Sequence, residues 1–244
     1  MNSDFEFLCE DLTVEFPIFD SHSRSVKTRL IDGGSVSRSF KGLDGINVTI
    51  QKHERIGLLG RNGAGKSTFL RTLAGIYPPT EGRMKINTKT TSFFEVGVGI
   101  DPDASGYDNI PLLMASRSIP LTRLEEVIED VEEFTELGEA LSRPLRTYSS
   151  GMRLRLAFAA ATFEVQGALL MDEVIGVGDT LFRKKARERL EAVIGNVPTL
   201  VLASHSMEFL KAFCTEALVF DGGKIVYQGS IENAAQFYEQ STNG

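Results

Sequence analysis

Gly60-Arg61-Asn62-Gly63-Ala64-Gly65-Lys66-Ser67 follows the spacing GxxxxGK[ST], the pattern of a loop that cradles phosphates. Its glycines let backbone N–H groups converge on phosphate oxygens, and the helix that follows points its positive N-terminal end at them. Lys66 is placed to bridge the β- and γ-phosphates of a nucleoside triphosphate, and Ser67 to ligate Mg²⁺ through its hydroxyl. Arg61, Asn62 and Ala64 fill permissive positions and contribute backbone donors; Thr68, next on the helix, completes the binding set. The flanks agree. Residues 55–59 form a short apolar run, and 66–76 carry apolar residues at helical spacing, so the loop lies between a strand and a helix.

Two further segments carry chemistry. Ala168-Leu169-Leu170-Met171 runs straight into Asp172-Glu173. A buried strand that stops at two acids presents them at the carboxyl edge of a sheet, where ligands sit in open α/β folds. Asp172 is expected to hold Mg²⁺, through water, and Glu173 to polarise the attacking water as general base. Between loop and acids lies Tyr148-Ser149-Ser150-Gly151-Met152. A small residue followed by glycine at a helix start offers a hydroxyl and bare N–H groups to an anion. Read alone, it is a helix cap.

Composition narrows the classes. The 244 residues are 42% hydrophobic and 24% charged, values of an ordinary globular protein. The net charge of −7 leaves no basic surplus to displace counterions from nucleic acid. Cys9 and Cys214 are the only two cysteines, too few and too far apart for a disulfide framework, so a reducing compartment is expected. The acidic start Met1-Asn2-Ser3-Asp4 shows no secretory signal. No run approaches 18 apolar residues, so any membrane role is expected to come through a partner.

Along the chain, residues 5–16, 43–51 and 55–59 read as strands, and 83–95 as a further strand. Residues 22–34 are polar and look like an inserted loop. From about 101 the pattern becomes helical. Ser105-Gly106-Tyr107-Asp108 and Thr122-Arg123-Leu124-Glu125 both have the form of capping boxes. Residues 123–137 form an acidic amphipathic helix, and 151–163 an Ala-rich one. Strands return at 168–171, 199–203, 217–220 and 224–227, with helices near 181–193, 207–213 and 231–240. Asp221-Gly222-Gly223 predicts a tight hairpin turn.

The order and spacing of the three motifs resemble the ATP-binding cassette of ABC transporters. Ser149 and Gly151 match the serine and second glycine of the signature written LSGGQ; Tyr148, Ser150 and Met152 depart from it. The resemblance implies an α/β P-loop NTPase of the ABC ATPase type, with a mixed-sheet core, an antiparallel β subdomain and an inserted helical subdomain. One ATP-binding domain would span 1–244, with a core lobe at about 1–100 and 164–244 and a helical lobe at about 101–163. It also implies a homodimer, in which Ser149, Ser150 and Gly151 of one copy cap the ATP bound to the other. His205, after the strand at 199–203, matches the switch histidine that senses the γ-phosphate, and Gly178-Asp179 matches the D-loop at the dimer interface. Phe16 sits where an aromatic stacks on adenine, although a core-strand role fits it nearly as well; Phe19 is the reserve.

Most such cassettes carry a glutamine before the helical lobe. Here the segment is Phe94-Glu95-Val96-Gly97-Val98-Gly99-Ile100, followed by Asp101-Pro102 and Ser105-Gly106-Tyr107-Asp108-Asn109-Ile110. This resembles cassettes that export O-antigen, capsule or teichoic acid, which read E-L-G-x-G-F, then P, then T/S-G-x-E/D-N. Glu95 would take the glutamine's place beside Mg²⁺ and the permease. The implied function is ATP hydrolysis powering export of a polysaccharide or lipid-linked glycan. The implied location is peripheral, on the cytoplasmic face of the inner membrane, docked on an integral-membrane permease. The chain stops soon after its last helix, so glycan choice is expected to lie mainly with the permease. An ABC importer, a soluble ABC ATPase and a small-molecule kinase are the competing readings. The Glu95 segment argues against import. The lack of coiled-coil insertions or basic stripes argues against a soluble ABC ATPase, and the acid pair, signature and His205 argue against a kinase.

Overall fold

The computed structural model describes residues 5–18, 38–93, 99–172 and 180–242. The chain divides into two compact units, Met1–Thr88 with Ala203–Gly244, and Lys89–Leu202.

The first unit carries β1 (Phe5–Ile18), β2 (Arg38–Gln51), β3 (Arg55–Leu59), α1 (Lys66–Leu73) and β4 (Glu81–Ile86). It then takes in α6 (Met207–Phe213), β8 (Glu216–Asp221), β9 (Lys224–Ser230) and α7 (Ile231–Thr242). β2, β1 and β4 form an antiparallel sheet with β1 central. On β1 the buried apolar side chains are Phe7 and Cys9, then Leu12 and Val14. That change of phase is a bulge, since a slip of one residue moves side chains to the other face. Asp11 adopts φ 49°, the register against β2 shifts between Cys9 and Leu12, and Asn47 locks it. The Asp11 N–H donates to Asn47 Oδ1 at 2.9 Å, and Asn47 Nδ2 donates to Asp11 Oδ1 at 2.8 Å. β3 runs parallel to β8, and β8 antiparallel to β9. The β8–β9 turn is the one expected at Asp221-Gly222-Gly223: Gly222 and Gly223 both have positive φ, 53° and 80°, as a two-residue primed hairpin requires.

The second unit holds β5 (Thr90–Ser92), α2 (Gly106–Ser116), α3 (Leu124–Thr135), α4 (Ser150–Thr162), β6 (Ala168–Asp172), α5 (Thr180–Asn196) and all but the last residue of β7 (Thr199–Ala203). β5, β6 and β7 lie in that order, with β5 parallel to β6. Every residue of β7, and of β6 up to Met171, is buried. These continuous apolar runs are what strands covered on both faces require. α3 buries Val127, Val131 and Phe134 and exposes Glu125, Glu126, Glu129, Glu132 and Glu133, so its charge run is a solvated face.

Two expectations fail. The stretch 83–95 is not one strand: β4 ends at Ile86 paired with Phe7, and β5 begins at Thr90 paired with Ala168. Residues 87–89 carry the chain from one sheet to another. Thr122 does not cap a helix. Leu121–Arg123 is a 3₁₀ turn that runs directly into α3, whose N-cap is Arg123 with no side-chain hydrogen bond. Pro120, extended at φ −63° and ψ 138°, starts that turn too early for Thr122 to stand outside it. The expected insertion at 22–34 lies outside the described residues.

Candidate nucleotide site

β3 delivers the chain to Gly60, and the loop returns as α1. Gly60, Gly63 and Gly65 have φ of 145°, 79° and 114°, conformations that an L side chain resists. Two of them are also hemmed in. A Cβ on Gly60 would lie 2.5 Å from the Phe220 carbonyl oxygen, and one on Gly65 would lie 2.8 Å from the Gly42 oxygen and 3.3 Å from Gly223 Cα. Three glycines from distant segments, Gly42, Gly65 and Gly223, therefore pack backbone against backbone. Hydrogen bonds fasten the junction: the Gly223 N–H donates to Ala64 O and the Asp44 N–H to Gly223 O, each at 2.9 Å. Asp44 also pairs with Lys41 and Lys224, whose cations hold its carboxyl below the usual range.

α1 starts at Lys66 with Gly65 as N-cap. No side chain caps it and no acid occupies its first turn. Its leading N–H groups have no intrahelical acceptor, and the dipole there favours an anion. The Lys66 ammonium is buried under the loop and donates to the carbonyls of Gly60 at 2.7 Å and Arg61 at 3.1 Å. Arg61, Asn62 and Gly63 are exposed; Ser67 and Thr68 are half-buried on α1.

Phe16 is brought to this end of α1. Its ring and the Thr68 methyl both occupy the space beside Gly42, where a Cβ would meet them at 2.7 and 3.0 Å. Tyr77 stands edge-on to the Phe16 ring, with centroids 5.1 Å apart. His205, in the same unit, is exposed between β7 and α6. The turn there is tied by Ser204 Oγ, which accepts from Ser206 N–H, and Ser206 caps α6.

The second unit holds Asp172 and the signature. Asp172 is the last residue of β6 and is half-buried. Ser149 is the N-cap of α4, its hydroxyl oxygen accepting from the Met152 N–H at 3.2 Å. Ser149 and Ser150 are exposed and Gly151 partly so. Tyr148 is buried and donates its hydroxyl to Ala140 O at 2.6 Å. The segment before it is stitched to residues 102–104: Leu145 N–H donates to Ala104 O at 3.0 Å, Arg146 N–H to Pro102 O at 2.8 Å, and Arg146 pairs with Asp103.

Each residue of Ser105-Gly106-Tyr107-Asp108-Asn109-Ile110 has a task. Ser105 and Asp108 form the expected capping box. Gly106 leaves room for Tyr148. The Tyr107 hydroxyl bonds Glu132, and Ile110 is fully buried. Asn109, also fully buried, accepts from the Asp101 N–H at 2.7 Å and donates to the carbonyls of Asp101 and Ser105 at 3.0 and 2.8 Å. Glu173, Glu95, Gly178, Asp179 and Phe19 lie outside the described residues. Sequence reasoning did not reveal Gly42, Tyr77 or the Tyr148 hydroxyl as parts of the site. A lone glycine inside a β run and an aromatic after a helix carry no local signal.

The loop geometry suits a triphosphate: its backbone curves where side chains cannot fit, a buried ammonium lies beneath it, and an uncapped helix start faces it. Mg²⁺ bound to phosphates needs only one or two protein oxygens. In the first unit the Ser67 hydroxyl, half-buried at the start of α1, is an oxygen of that kind; among the described residues no cluster of three metal-binding side chains exists.

The model of the ABC transporter family matches residues 43–176. The chain is 37% identical over 232 residues to the O-antigen export system ATP-binding protein RfbE of Yersinia enterocolitica, covering 91% of this chain and 97% of that one. It is 29% identical over 240 residues to the teichoic acids export ATP-binding protein TagH of Listeria monocytogenes, covering 98% and 71%. Among solved structures it aligns with the ATP-binding cassette MJ0796, in a dimeric post-hydrolysis state bound to ADP and Pi. The TM-score is 0.65 at 17% identity, over 92% of this chain and 98% of that one. The chain belongs to the ABC transporter family, as an ATP-binding and ATP-hydrolysing member. Its mixed α/β architecture with an added antiparallel sheet is that of the ABC ATPases. No helix among the described residues is long and apolar enough to cross a membrane.

Proposed function

We propose that two copies of this chain, at the cytoplasmic face of the cell membrane, hydrolyse ATP to drive an integral-membrane permease that exports a polysaccharide or lipid-linked glycan. The backbone junction of Gly42, Gly65 and Gly223 supports the nucleotide part, because it packs the phosphate-loop motif backbone against backbone with no room for a side chain at Gly65. The export part is supported by the likeness to a relative named for O-antigen export over 97% of that protein's length.

The loop amides and Lys66 take the phosphates, and Phe16 stacks on adenine. Ser67 and Asp172 would hold Mg²⁺, with Glu95 beside it, and the ion would neutralise charge on the β- and γ-oxygens. Glu173 accepts a proton from the attacking water. Water oxygen bonds to the γ-phosphorus, the bond to the β–γ bridging oxygen breaks, and ADP and phosphate leave. His205 contacts the γ-phosphate. The Ser149 oxygen already accepts from Met152, so its own O–H is left to donate across the dimer to the partner's γ-phosphate. Closure then depends on ATP at both sites, and hydrolysis loosens it. The glycan is contacted mainly by the permease.

Glu173→Gln should lower turnover roughly 10²–10⁴-fold while ATP binding persists. A strain deleted for the chain should lose its surface polysaccharide, regain it with the wild-type chain and not with Glu173→Gln. Surface polysaccharide unchanged by the deletion would overturn the export reading.

A further inference from the structure

α5 follows the acids at the end of β6, and its first half is clasped onto the signature helix. Phe182, Lys185 and Arg189 are spaced three and four apart, on one face of α5. Phe134 of α3 stacks on Phe158 of α4 at 5.8 Å between centroids and meets Phe182 edge-on at 5.4 Å. Cations close over these rings: Arg189 Cζ stands 4.4 Å and Lys185 Nζ 5.4 Å from the centroid of Phe134, and Arg155 Cζ of α4 stands 4.6 Å from that of Phe182.

The same cations are hydrogen-bonded. Arg189 grips Asp130 of α3 with both arms, at 3.0 and 2.6 Å, and reaches Ala159 O of α4 at 3.4 Å. Lys185 takes the Glu133 carbonyl at 2.9 Å and the Glu136 carboxylate at 2.6 Å. The Glu133 carbonyl is one of the last-turn acceptors that α3 cannot satisfy itself. The Arg189–Asp130 pair is well sheltered, with side chains only 18% and 30% exposed, and its fork-to-fork geometry fixes direction as well as distance.

We propose that the Arg189–Asp130 pair, with Arg189 seated on the Phe134 ring that packs against Phe158 and Phe182, is a positioning device that sets the tilt of α4 and hence the place of the Ser149–Gly151 cap. The lever is long. Ala159 lies ten residues from Ser149, about 15 Å along the helix. A tilt of about 5° at the clasp therefore moves the cap by about 1 Å, a displacement that can cost on the order of 100-fold in rate. This inference rests on the ATPase reading above.

The test is a double-mutant cycle on the full chain: Arg189→Ala, Asp130→Ala, both together, and the exchange Arg189→Asp with Asp130→Arg. Each single variant should lower kcat roughly 5–20-fold, with the Kd for ATP at the loop within about twofold. The double should be no worse than the poorer single, as expected for a shared interaction. The exchange should recover at least threefold, since it restores the ion pair but not the cation over Phe134. Arg189→Lys, which keeps the charge and loses the fork, should fall between and covers the case of a single variant that does not fold. Singles within twofold of wild type in kcat, effects that multiply in the double, or kcat falling only in proportion to the folded fraction would overturn the proposal. A wild-type chain without ATPase activity would instead defeat the underlying reading.

Discussion

Tyr148 and Gly106 fit one another: a Cβ on Gly106 would lie 2.5 Å from the Tyr148 hydroxyl oxygen, which is held by the Ala140 carbonyl at 2.6 Å. The aromatic ring that replaces the usual leucine of the signature is thus admitted by a glycine at the start of α2. Gly106→Ala should destabilise the chain by about 1–3 kcal/mol through overpacking, lowering Tm by roughly 2–10 °C for a protein of this size. Tyr148→Phe in that background should recover only part, because the Leu141 carbonyl is 3.0 Å from the same Cβ. Differential scanning calorimetry of the wild type and the two variants checks this.

The loop glycines should differ in their demands. Gly60→Ala combines φ 145° with a collision against the Phe220 carbonyl. It should weaken ATP binding at least tenfold, a loss of about 1.4 kcal/mol or more. Gly63→Ala has φ 79° and open space around its Cβ, so only the backbone strain of about 1 kcal/mol applies. Isothermal titration with ATP and Mg²⁺ should rank Gly63→Ala well above Gly60→Ala.

Asn109 is fully buried and holds three backbone partners of the segment ahead of α2. Asn109→Ala removes the side-chain partner of the Asp101 N–H and carbonyl, while the Ser105 carbonyl keeps the backbone N–H of residue 109, and should cost about 1–3 kcal/mol. Hydrogen exchange should rise at Asp101, the one amide the side chain protects directly, without a matching rise along β6 or β7.

Burial pushes the Cys9 and Cys214 thiols up to about 12, so the thiolate fraction at pH 8 is on the order of 10⁻⁴. A thiol reagent should label neither in the folded protein and both on unfolding. The unfolded chain sheds these protons near pH 9 and the folded chain only near 12. In that window the native state binds more protons, and stability falls as pH rises. Denaturant midpoints of the wild type should therefore drop between pH 9 and 11 more steeply than those of Cys9→Ala/Cys214→Ala.

Local rules made much of this legible. The GxxxxGK[ST] run placed the loop between β3 and α1, Ser105 and Asp108 formed the box their spacing promised, and Asp221-Gly222-Gly223 turned as primed hairpins do. Where partners are distant, reading along the chain fell short. Alternation through 83–95 cannot reveal that β4 and β5 join different sheets. Gly42 matters only because Phe16 and Thr68 arrive beside it from elsewhere. Arg189 and Asp130 are 59 residues apart, and nothing near either one announces the other. Thr122 had the residues of a box, but Pro120 had already begun the turn.

The central claim is that each ATP is clamped between two copies of this chain. Sedimentation of Glu173→Gln reads it directly. Without nucleotide the protein should sediment as a single 26.8 kDa chain; with saturating ATP it should sediment at twice that mass, and Ser149→Ala in the same background should need at least tenfold more ATP or protein to pair. A strictly single-chain mass at saturating ATP, retained when the permease is supplied, would contradict the account.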